Sequence, residues 1–398
     1  MLKRLRSVVF WAHLIIGVSA AAIVLVMALT GVLLTYQRQI QAWADTRGLD
    51  GAAPSTSATQ LPPDTLLAKV ESAGSGRVTG LRWRRDPAAP AEVLYGRETT
   101  VFVNAYTGAV LGDGSERTRA FFRSVTDWHR WLALSGDDRA RGRAITGVAN
   151  LAFLFIVLAG FILWWPRNLT RRSLRSVVMF RRGLSGKARD FNWHNVIGIW
   201  SFLPLVIIVV SGAVISYAWA GGILERLTAE DGSARTAVAA PVAPDAAAGL
   251  LLAGDTADTS LLVEVARAQM PAWRSVTMHL PSRSGRVRFT LDGGTGGQPQ
   301  YQAELSLSPT TGEVLDWQPF SSGSRPQRVR SILRFAHTGE ALGLVGQTIA
   351  GAASAGAVLL VWTGIALALR RLRSWLRRRH SRDSPGPAAA DRASRRTP

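Results

Sequence analysis

Four long apolar segments constrain this chain more than any other feature of its sequence. Each is longer than the roughly 20 residues that a helix needs to cross the hydrocarbon core of a bilayer. Four transmembrane helices are therefore predicted. Basic residues precede the first segment, which is too long for the apolar core of a signal peptide and is interpreted as an uncleaved anchor. The four segments are residues 7–37, 144–166, 191–223 and 341–369.

The distribution of charge predicts the orientation of these helices. Residues 1–6, 167–190 and 370–398 contain 21 basic and three acidic residues, which account for 18 of the 20 net positive charges. Short cytoplasmic loops carry an excess of Lys and Arg, so both termini are expected to be cytoplasmic. The high net charge then reflects contact with anionic membrane lipids. No nucleic-acid partner is expected.

An internal duplication relates the two halves of the chain. Residues 13–36 match residues 194–217 at a constant shift of 181 without a gap. Each repeat consists of an outgoing helix, an extracytoplasmic domain and a returning helix in the same orientation, which makes them parallel repeats. The predicted fold is a four-transmembrane-helix bundle with two extracytoplasmic α+β domains. Matched pairs include His13 with His194, Gly17 with Gly198, Thr30 with Ser211, and Gly31 with Gly212; the returning helices share Gly160 and Gly364.

The predicted domain boundaries follow from this repeat. Each extracytoplasmic domain has a short helix, at 65–72 or 260–269, followed by a meander of strand-like runs that alternate apolar and polar residues. The segments are transmembrane helix 1 (1–37), first domain (38–120), outer-face segment and helix 2 (121–166), basic loop (167–190), helix 3 (191–220), second domain (221–330), outer-face segment and helix 4 (331–370), and a basic disordered tail (371–398).

Four histidines stand at the ends of the apolar segments. Ionisable residues near membrane depth are costly and rare, so each is a candidate functional group. If the duplicated helices face each other, His13 lies near His194 at the cytoplasmic face and His129 lies near His337 at the outer face. Paired imidazoles fill both axial positions of haem iron, which favours electron transfer over oxygen binding. We therefore predict two b-type haems with these two pairs of histidines as iron ligands.

Glycines at helical spacing provide space for the two haem rings. Small residues let helices approach or leave room beside a flat ring. Gly17 and Gly198 lie four residues, or one turn, after His13 and His194. A second pair lies 18 residues after them, which is five turns and about 27 Å, close to the opposite membrane surface. Gly17 and Gly198 are thus predicted beside the cytoplasmic-side ring with Gly160 and Gly364, and Gly31 and Gly212 beside the outer ring.

Other interpretations of these residues exist. Histidines beside tryptophans also occur in the aromatic belt of a membrane protein, and small residues occur in ordinary helix packing. Zinc or copper is a further alternative, although two ligands per face fall short of the four that structural zinc prefers. His279 is interpreted as a surface residue of a strand, and His380 is assigned no role. Five arginines could pair with haem propionates or form a solvated rim: Arg123, Arg130, Arg139, Arg141 and Arg143.

Several motifs together resemble the PepSY-associated transmembrane family, a group of bacterial inner-membrane proteins that includes haem-containing siderophore reductases. The resemblance covers nearly the whole chain except the tail. One departure is the end of the fourth helix, where Ala366–Leu367–Ala368–Leu369 replaces a Trp-Trp-Pro-Arg sequence. The motifs are Trp11–Ala12–His13, Trp128–His129–Arg130–Trp131–Leu132, Trp164–Trp165–Pro166–Arg167 and Asn192–Trp193–His194.

The resemblance implies a function as well as a fold. It implies PepSY-type outer domains, haem ligation by the four histidines, and a haem-dependent oxidoreductase of the bacterial inner membrane. Such a protein passes electrons from a donor, which the sequence does not identify, to a ferric siderophore or similar chelate in the periplasm and releases Fe(II). Two alternatives remain: a membrane-anchored PepSY-domain binding or regulatory protein without redox activity, and a transporter of the chelate.

Overall fold

The protein divides into two compact units. The computed structural model describes residues 2–73, 76–96, 99–166, 170–229, 259–280 and 285–383. The helical unit comprises Met1–Val32, Asp127–Ala213 and Ile349–Pro398, and the sheet unit comprises Leu33–Thr126 and Val214–Thr348.

The long helices of the chain are those that the apolar segments predict. Four helices are long and apolar enough to cross a membrane, over Arg4–Leu34, Gly136–Trp164, Gly186–Ser216 and Glu340–Arg379. The protein is therefore a multi-pass membrane protein. The helices are α1 Leu2–Leu34, α2 Gln37–Thr46, α3 Pro63–Ala73, α4 Glu116–Trp131, α5 Arg139–Trp164, α6 Arg171–Val178, α7 Gly186–Ser216, α8 Ala218–Thr228, α9 Thr259–Gln269, α10 Arg325–His337 and α11 Gly343–Asp383.

Small residues and a few polar contacts hold the helical unit together. Its buried cluster contains Ala28, Leu205, Ala353 and Ala357, which come from α1, α7 and α11. Asn150 of α5 donates a hydrogen bond of 3.0 Å to a backbone carbonyl of α7. Lipid offers no hydrophobic gain for helix association, so close packing and interhelical hydrogen bonds stabilise such an assembly.

The sheet unit contains one eight-stranded antiparallel sheet. Both predicted meanders are present, and they join through β1 and β5, where Trp83 lies opposite Val276. The order of the strands is β4-β3-β2-β1-β5-β6-β7-β8. The strands are β1 Gly80–Arg84, β2 Ala91–Tyr95, β3 Thr99–Val103, β4 Val110–Gly112, β5 Ser275–His279, β6 Val287–Asp292, β7 Gln302–Leu307 and β8 Val314–Pro319.

One apolar core spans both halves of this sheet. Leu66 of α3 and Leu262 of α9 pack in the same buried cluster as Leu81, Phe289 and other inward-facing strand residues. The alternation of apolar and polar residues along each strand places one face of the sheet against these helices. The predicted combination of long apolar helices with an α+β insertion is confirmed, and the two meanders, predicted as separate domains, form one sheet with one core.

Two features differ from the sequence prediction. First, α11 continues to Asp383, so the beginning of segment 371–398, predicted to be disordered, is helical; residues 384–398 lie outside the described residues. Second, His129 and His337 do not lie on the long apolar helices but in the last turns of α4 and α10. Polar residues dominate α4 and α10, so a search for apolar segments could not separate them from the connecting loops.

Candidate functional site

The imidazole rings of His13 and His194 are neighbours in the helical unit. His13 is carried by α1 and His194 by α7, and their ring centroids are 6.4 Å apart with the ring planes at 87°. Two imidazoles that bind one metal ion from opposite sides, each at about 2 Å, have ring centres roughly 6 Å apart. The observed separation therefore fits two imidazoles that share a metal ion.

Each of these rings packs against a glycine of a returning helix. A Cβ atom added to Gly160 of α5 would lie 3.4 Å from Cε1 of His13, and one added to Gly364 of α11 would lie 3.5 Å from Cε1 of His194. A methyl group at either position would thus be in van der Waals contact with its ring. The two glycines correspond to each other in the sequence repeat, so both halves of the helical unit hold their histidine in the same way.

The glycines one turn after these histidines have different surroundings. A Cβ atom on Gly17 would meet no described atom within 4 Å, so this position borders open space. A Cβ atom on Gly198 would lie 3.7 Å from Cδ2 of Leu360. Open space is thus present beside α1 at Gly17, whereas Gly198 is in ordinary contact with α11.

A threonine hydroxyl contacts the second ring nitrogen of His194. Nδ1 of His194 lies 2.9 Å from Oγ1 of Thr363, which also lies 2.7 Å from the carbonyl oxygen of Leu359 in its own helix. The hydroxyl carries a single hydrogen, and the carbonyl oxygen can only accept it. The threonine therefore accepts a hydrogen bond from Nδ1–H, and the lone pair of His194 lies on Nε2. A neutral imidazole in this tautomer is ready to bind a metal through Nε2.

His129 has the same arrangement at the other end of α1. Its Nδ1 lies 2.9 Å from Oγ1 of Thr30, and that hydroxyl lies 2.7 Å from the carbonyl oxygen of Val26. A Cβ atom on Gly31 would lie 3.7 Å from Cε1 of His129. Gly31 thus lies beside the ring of His129, while its place beside the outer haem stays a prediction.

A tight reversal of the chain fixes the end of α4, where His129 lies. Leu132 and Ala133 both have positive φ angles, which non-glycine residues rarely adopt. Thr146 of α5 donates a hydrogen bond of 3.0 Å to the carbonyl oxygen of Arg130. Gly142 permits this approach, because a Cβ atom there would collide with the carbonyl oxygen of Trp131. These contacts fix the position of His129 within the helical unit.

The remaining predicted site residues are placed as follows. His337 is the last residue of α10, a helix of the sheet unit whose first turn is fixed by a capping box between Ser324 and Gln327. Gly212 is buried in α7. The pairing of His129 with His337 and the role of Gly212 stay predictions.

The sequence prediction did not include Thr363 as a contact of His194, nor Thr30 as a contact of His129. A signal for both was present: each threonine directly precedes a glycine that lies beside a histidine ring. A hydroxyl and a glycine in adjacent positions provide an acceptor for Nδ1–H and space for the ring. The pattern is weak by itself, because Thr-Gly pairs also occur in ordinary helix packing.

His279, a histidine of the sheet unit, has a hydrogen-bonding partner within the sheet. His279 of β5 is half-buried, and its Nε2 lies 2.8 Å from Oγ1 of Thr290 on the neighbouring strand. Burial lowers the pKa of His279, so the residue is neutral and hydrogen-bonded within the sheet. The side chain is thus more enclosed than the predicted surface residue.

The arginines near His129 fit a solvated rim. Arg123 pairs with Glu116, and its hydrogen bond lowers the pKa of that carboxyl group. Arg139 lies 3.7 Å from a carboxylate of Asp127, and its guanidinium lies 4.0 Å from the ring centre of Trp131. Arg141 pairs with Asp138 and Arg130 stacks on Trp131.

The donor set limits which metal sites are possible. Within the described part of the chain, no group of three or more His, Cys, Asp and Glu side chains could hold a metal ion. The chain contains no cysteine. A metal ion at the His13–His194 pair would need further ligands that the described residues do not supply. Haem brings four nitrogen ligands of its own and needs only two axial ones, so the residues of this pair fit haem better than zinc or copper.

Comparison with known proteins assigns the family. No curated protein matches the chain significantly. A family model described as the PepSY-associated TM region matches residues 10–371, which include the sheet and most of each spanning helix. The match covers most of the chain, from within α1 to the end of the apolar part of α11, and the chain therefore belongs to the PepSY-associated TM region family.

Proposed function

We propose that this protein is a di-haem reductase of the bacterial inner membrane that passes electrons across the membrane to a ferric siderophore or similar ferric chelate in the periplasm. The observation that carries the proposal is the His13–His194 pair, at 6.4 Å between ring centres, with a glycine against each ring. Two imidazoles without further protein ligands suit haem and little else.

The proposed cofactors are two b-type haems with bis-His ligation. His13 and His194 would hold the haem on the cytoplasmic side, and Gly160 and Gly364 keep space beside their rings. His129 and His337 would hold the haem on the periplasmic side. This second pair is supported by sequence symmetry, because the two residues occupy corresponding places in the two repeats.

The proposed chemistry is transfer of one electron at a time. When bound, a haem would supply a reversible one-electron centre, with the histidines as the residues that hold it. The protein contributes ligation, spacing and exclusion of water. An electron from a donor on the cytoplasmic side reduces Fe(III) in the chelate to Fe(II). Oxygen ligands bind Fe(II) less tightly, because they discriminate by charge and Fe(II) is low in the divalent affinity order. The iron is then released.

A difference spectrum tests the haem proposal. The full chain is expressed with ample haem, purified in detergent, and measured in its reduced and oxidised states; a b-type signal with two haems per chain is expected. His13→Ala or His194→Ala should remove one haem, and His129→Ala or His337→Ala the other. His279→Ala is the matched control, since this histidine is engaged within the sheet unit and should leave both haems in place. Colourless wild-type protein would overturn the proposal.

A second measurement tests the acceptor. Protein reduced under anaerobic conditions is mixed with ferric citrate or with a ferric hydroxamate, and haem re-oxidation is followed together with trapping of Fe(II) by a chromogenic chelator. One Fe(II) per electron lost is expected. Haem that stays reduced with both chelates would contradict reductase activity while leaving haem binding intact. The non-redox alternative predicts instead that all four His→Ala variants keep the cellular phenotype of the wild type.

A further inference from the structure

Each long helix carries a small residue directly before a glycine at the corresponding position of the repeat. The four pairs are Thr30–Gly31, Ala159–Gly160, Ser211–Gly212 and Thr363–Gly364. Three of the four small residues have a hydroxyl group. Ala159 is the exception, and its glycine is the one that packs against His13.

The two rings of the pair are otherwise held alike. A Cβ atom added to Gly160 would lie 3.4 Å from the ring of His13, and one added to Gly364 would lie 3.5 Å from the ring of His194. The His13 ring interacts with the backbone of Ile156, and the His194 ring with the backbone of Leu360 at the corresponding position. One difference between the surroundings of the two histidines is the residue directly before the glycine, which is Ala159 in one half and Thr363 in the other.

The residue at this position determines whether Nδ1 of the histidine has a hydroxyl partner. Nδ1 of His194 is 2.9 Å from the hydroxyl of Thr363. Nδ1 of His13 is buried and, among the residues that the structure describes, no side chain lies at hydrogen-bonding geometry to it; the ring approaches the backbone of Ile156, as the His194 ring approaches that of Leu360. A methyl group at Ala159 cannot supply one. His194 thus has a fixed tautomer and ring orientation, whereas nothing at position 159 fixes those of His13.

We propose that the two axial ligands of this site are inequivalent: Thr363 positions His194 as the fixed ligand, and Ala159 leaves His13 as the exchangeable ligand. The inference rests on the proposed haem at this pair. A hydrogen bond to the second nitrogen of a metal-binding histidine orients the ring and raises its basicity, and its loss costs about 10- to 100-fold in metal affinity. In the haem-loaded protein an external ligand would therefore displace His13 more readily than His194.

Carbon monoxide is the probe for exchange. The haem-loaded full chain is reduced, mixed with CO, and the rate of the spectral change is measured for the site that His13→Ala abolishes. Ala159→Ser adds the missing hydroxyl and should slow CO binding about 10-fold or more. Thr363→Val should raise the rate and weaken haem binding to the haem-free protein by about 10- to 100-fold. Thr363→Ser keeps the hydroxyl and should retain wild-type values in both measurements.

Thr348→Val is the matched control for Thr363→Val. Thr348 also lies in α11 and donates to a carbonyl of its own helix, that of Leu344 at 2.8 Å, but its other contact is Tyr36 rather than a histidine. It should leave the CO rate unchanged. A rate in Ala159→Ser equal to the wild type, or an equal effect of both Val variants, would overturn the inference. Absence of haem from the wild type would instead overturn the proposed function, so the two failures are distinguishable.

Discussion

The sheet unit and the helical unit are stabilised by different means. Fully buried large apolar side chains fill the core of the sheet unit, among them Leu81, Phe289 and Leu305. The buried positions of the helical unit include small and polar residues, such as Thr363, which is 0% exposed. Water drives apolar burial in a soluble unit, but lipid gives helices no such gain. Polar groups buried inside the helical unit therefore have two roles: they pack between helices, and some, such as Thr363, also contact a histidine ring.

Truncation of the sheet core should have the largest effect on stability. Phe289 is 0% exposed in β6, between β5 and β7. Phe289→Ala should lower the free energy of unfolding of the sheet unit by about 3–5 kcal/mol, because it removes buried area and leaves a cavity. Denaturant unfolding followed by tryptophan fluorescence and by limited proteolysis measures this change.

The control for this variant is Leu261→Ala, at a position of α9 that is 50% exposed, which should change stability by less than about 0.5 kcal/mol. In haem-loaded protein the signal that depends on His13 should persist in Phe289→Ala, because every contact described for the His13–His194 pair lies within the helical unit. Loss of that signal at the same denaturant concentration as the sheet would contradict the division.

The hydrogen bond of Asn150 in the helical unit should contribute less to the free energy of unfolding than the burial of Phe289 in the sheet unit. Asn150 is buried, and its Nδ2 donates a hydrogen bond of 3.0 Å to the carbonyl oxygen of Val209. Asn150→Ala should cost about 0.6 kcal/mol and no more than about 2, because interhelical hydrogen bonds in membranes are modest. Unfolding of the detergent-solubilised protein in a denaturing detergent measures it.

Asn195→Ala is the matched control, because Asn195 is only partly buried and donates to Phe191 within its own helix rather than to another helix. It should be close to neutral. A cost for Asn150→Ala as large as that of Phe289→Ala would show that polar contacts, rather than close packing of small residues, dominate the helical unit.

Local patterns predicted much of this architecture. Apolar segments located the spanning helices, and period-two alternation located strands such as β5, because each signal depends on residues close in sequence. The 181-residue repeat also led to the proximity of His13 and His194, since duplicated helices occupy equivalent places. The pairing of β1 with β5 could not be predicted in this way. It joins residues almost 200 positions apart, and no local pattern records which strand edges meet.

The site itself was only partly predictable. The spacing of Gly31 from His13 indicated its face on the helix, and the structure places a histidine there. The contact of Thr363 with His194 depends on side-chain rotamers and on the rotation of α7 and α11 about their axes. Neither can be deduced from the amino-acid sequence by local patterns. Repeat symmetry does not extend to the residue beside Nδ1 of each ring, because Ala159 stands where the other half has Thr363.

The smallest effect should be a pH dependence that belongs to the sheet unit. His279 is half-buried, and burial lowers its pKa below the ordinary value of 6.5; nearby Arg288 and Arg82 also lower it, while Glu304 raises it. The unfolded chain thus binds a proton at higher pH than the folded one. Stability from this group is complete above about pH 6.5, falls as the pH drops from there to the folded pKa, and is constant below it.

Replacement of this histidine isolates its contribution. His279→Gln keeps a hydrogen-bonding side chain near Thr290 but does not titrate, so the slope between pH 6.5 and the folded pKa should disappear. The effect should be below about 1 kcal/mol, because solvent screens a half-buried group. Unfolding of the sheet unit is measured from pH 7.5 down to 4.5 in wild type and variant. Equal slopes in the two proteins would assign the pH dependence to other groups, while a lost slope would assign it to His279.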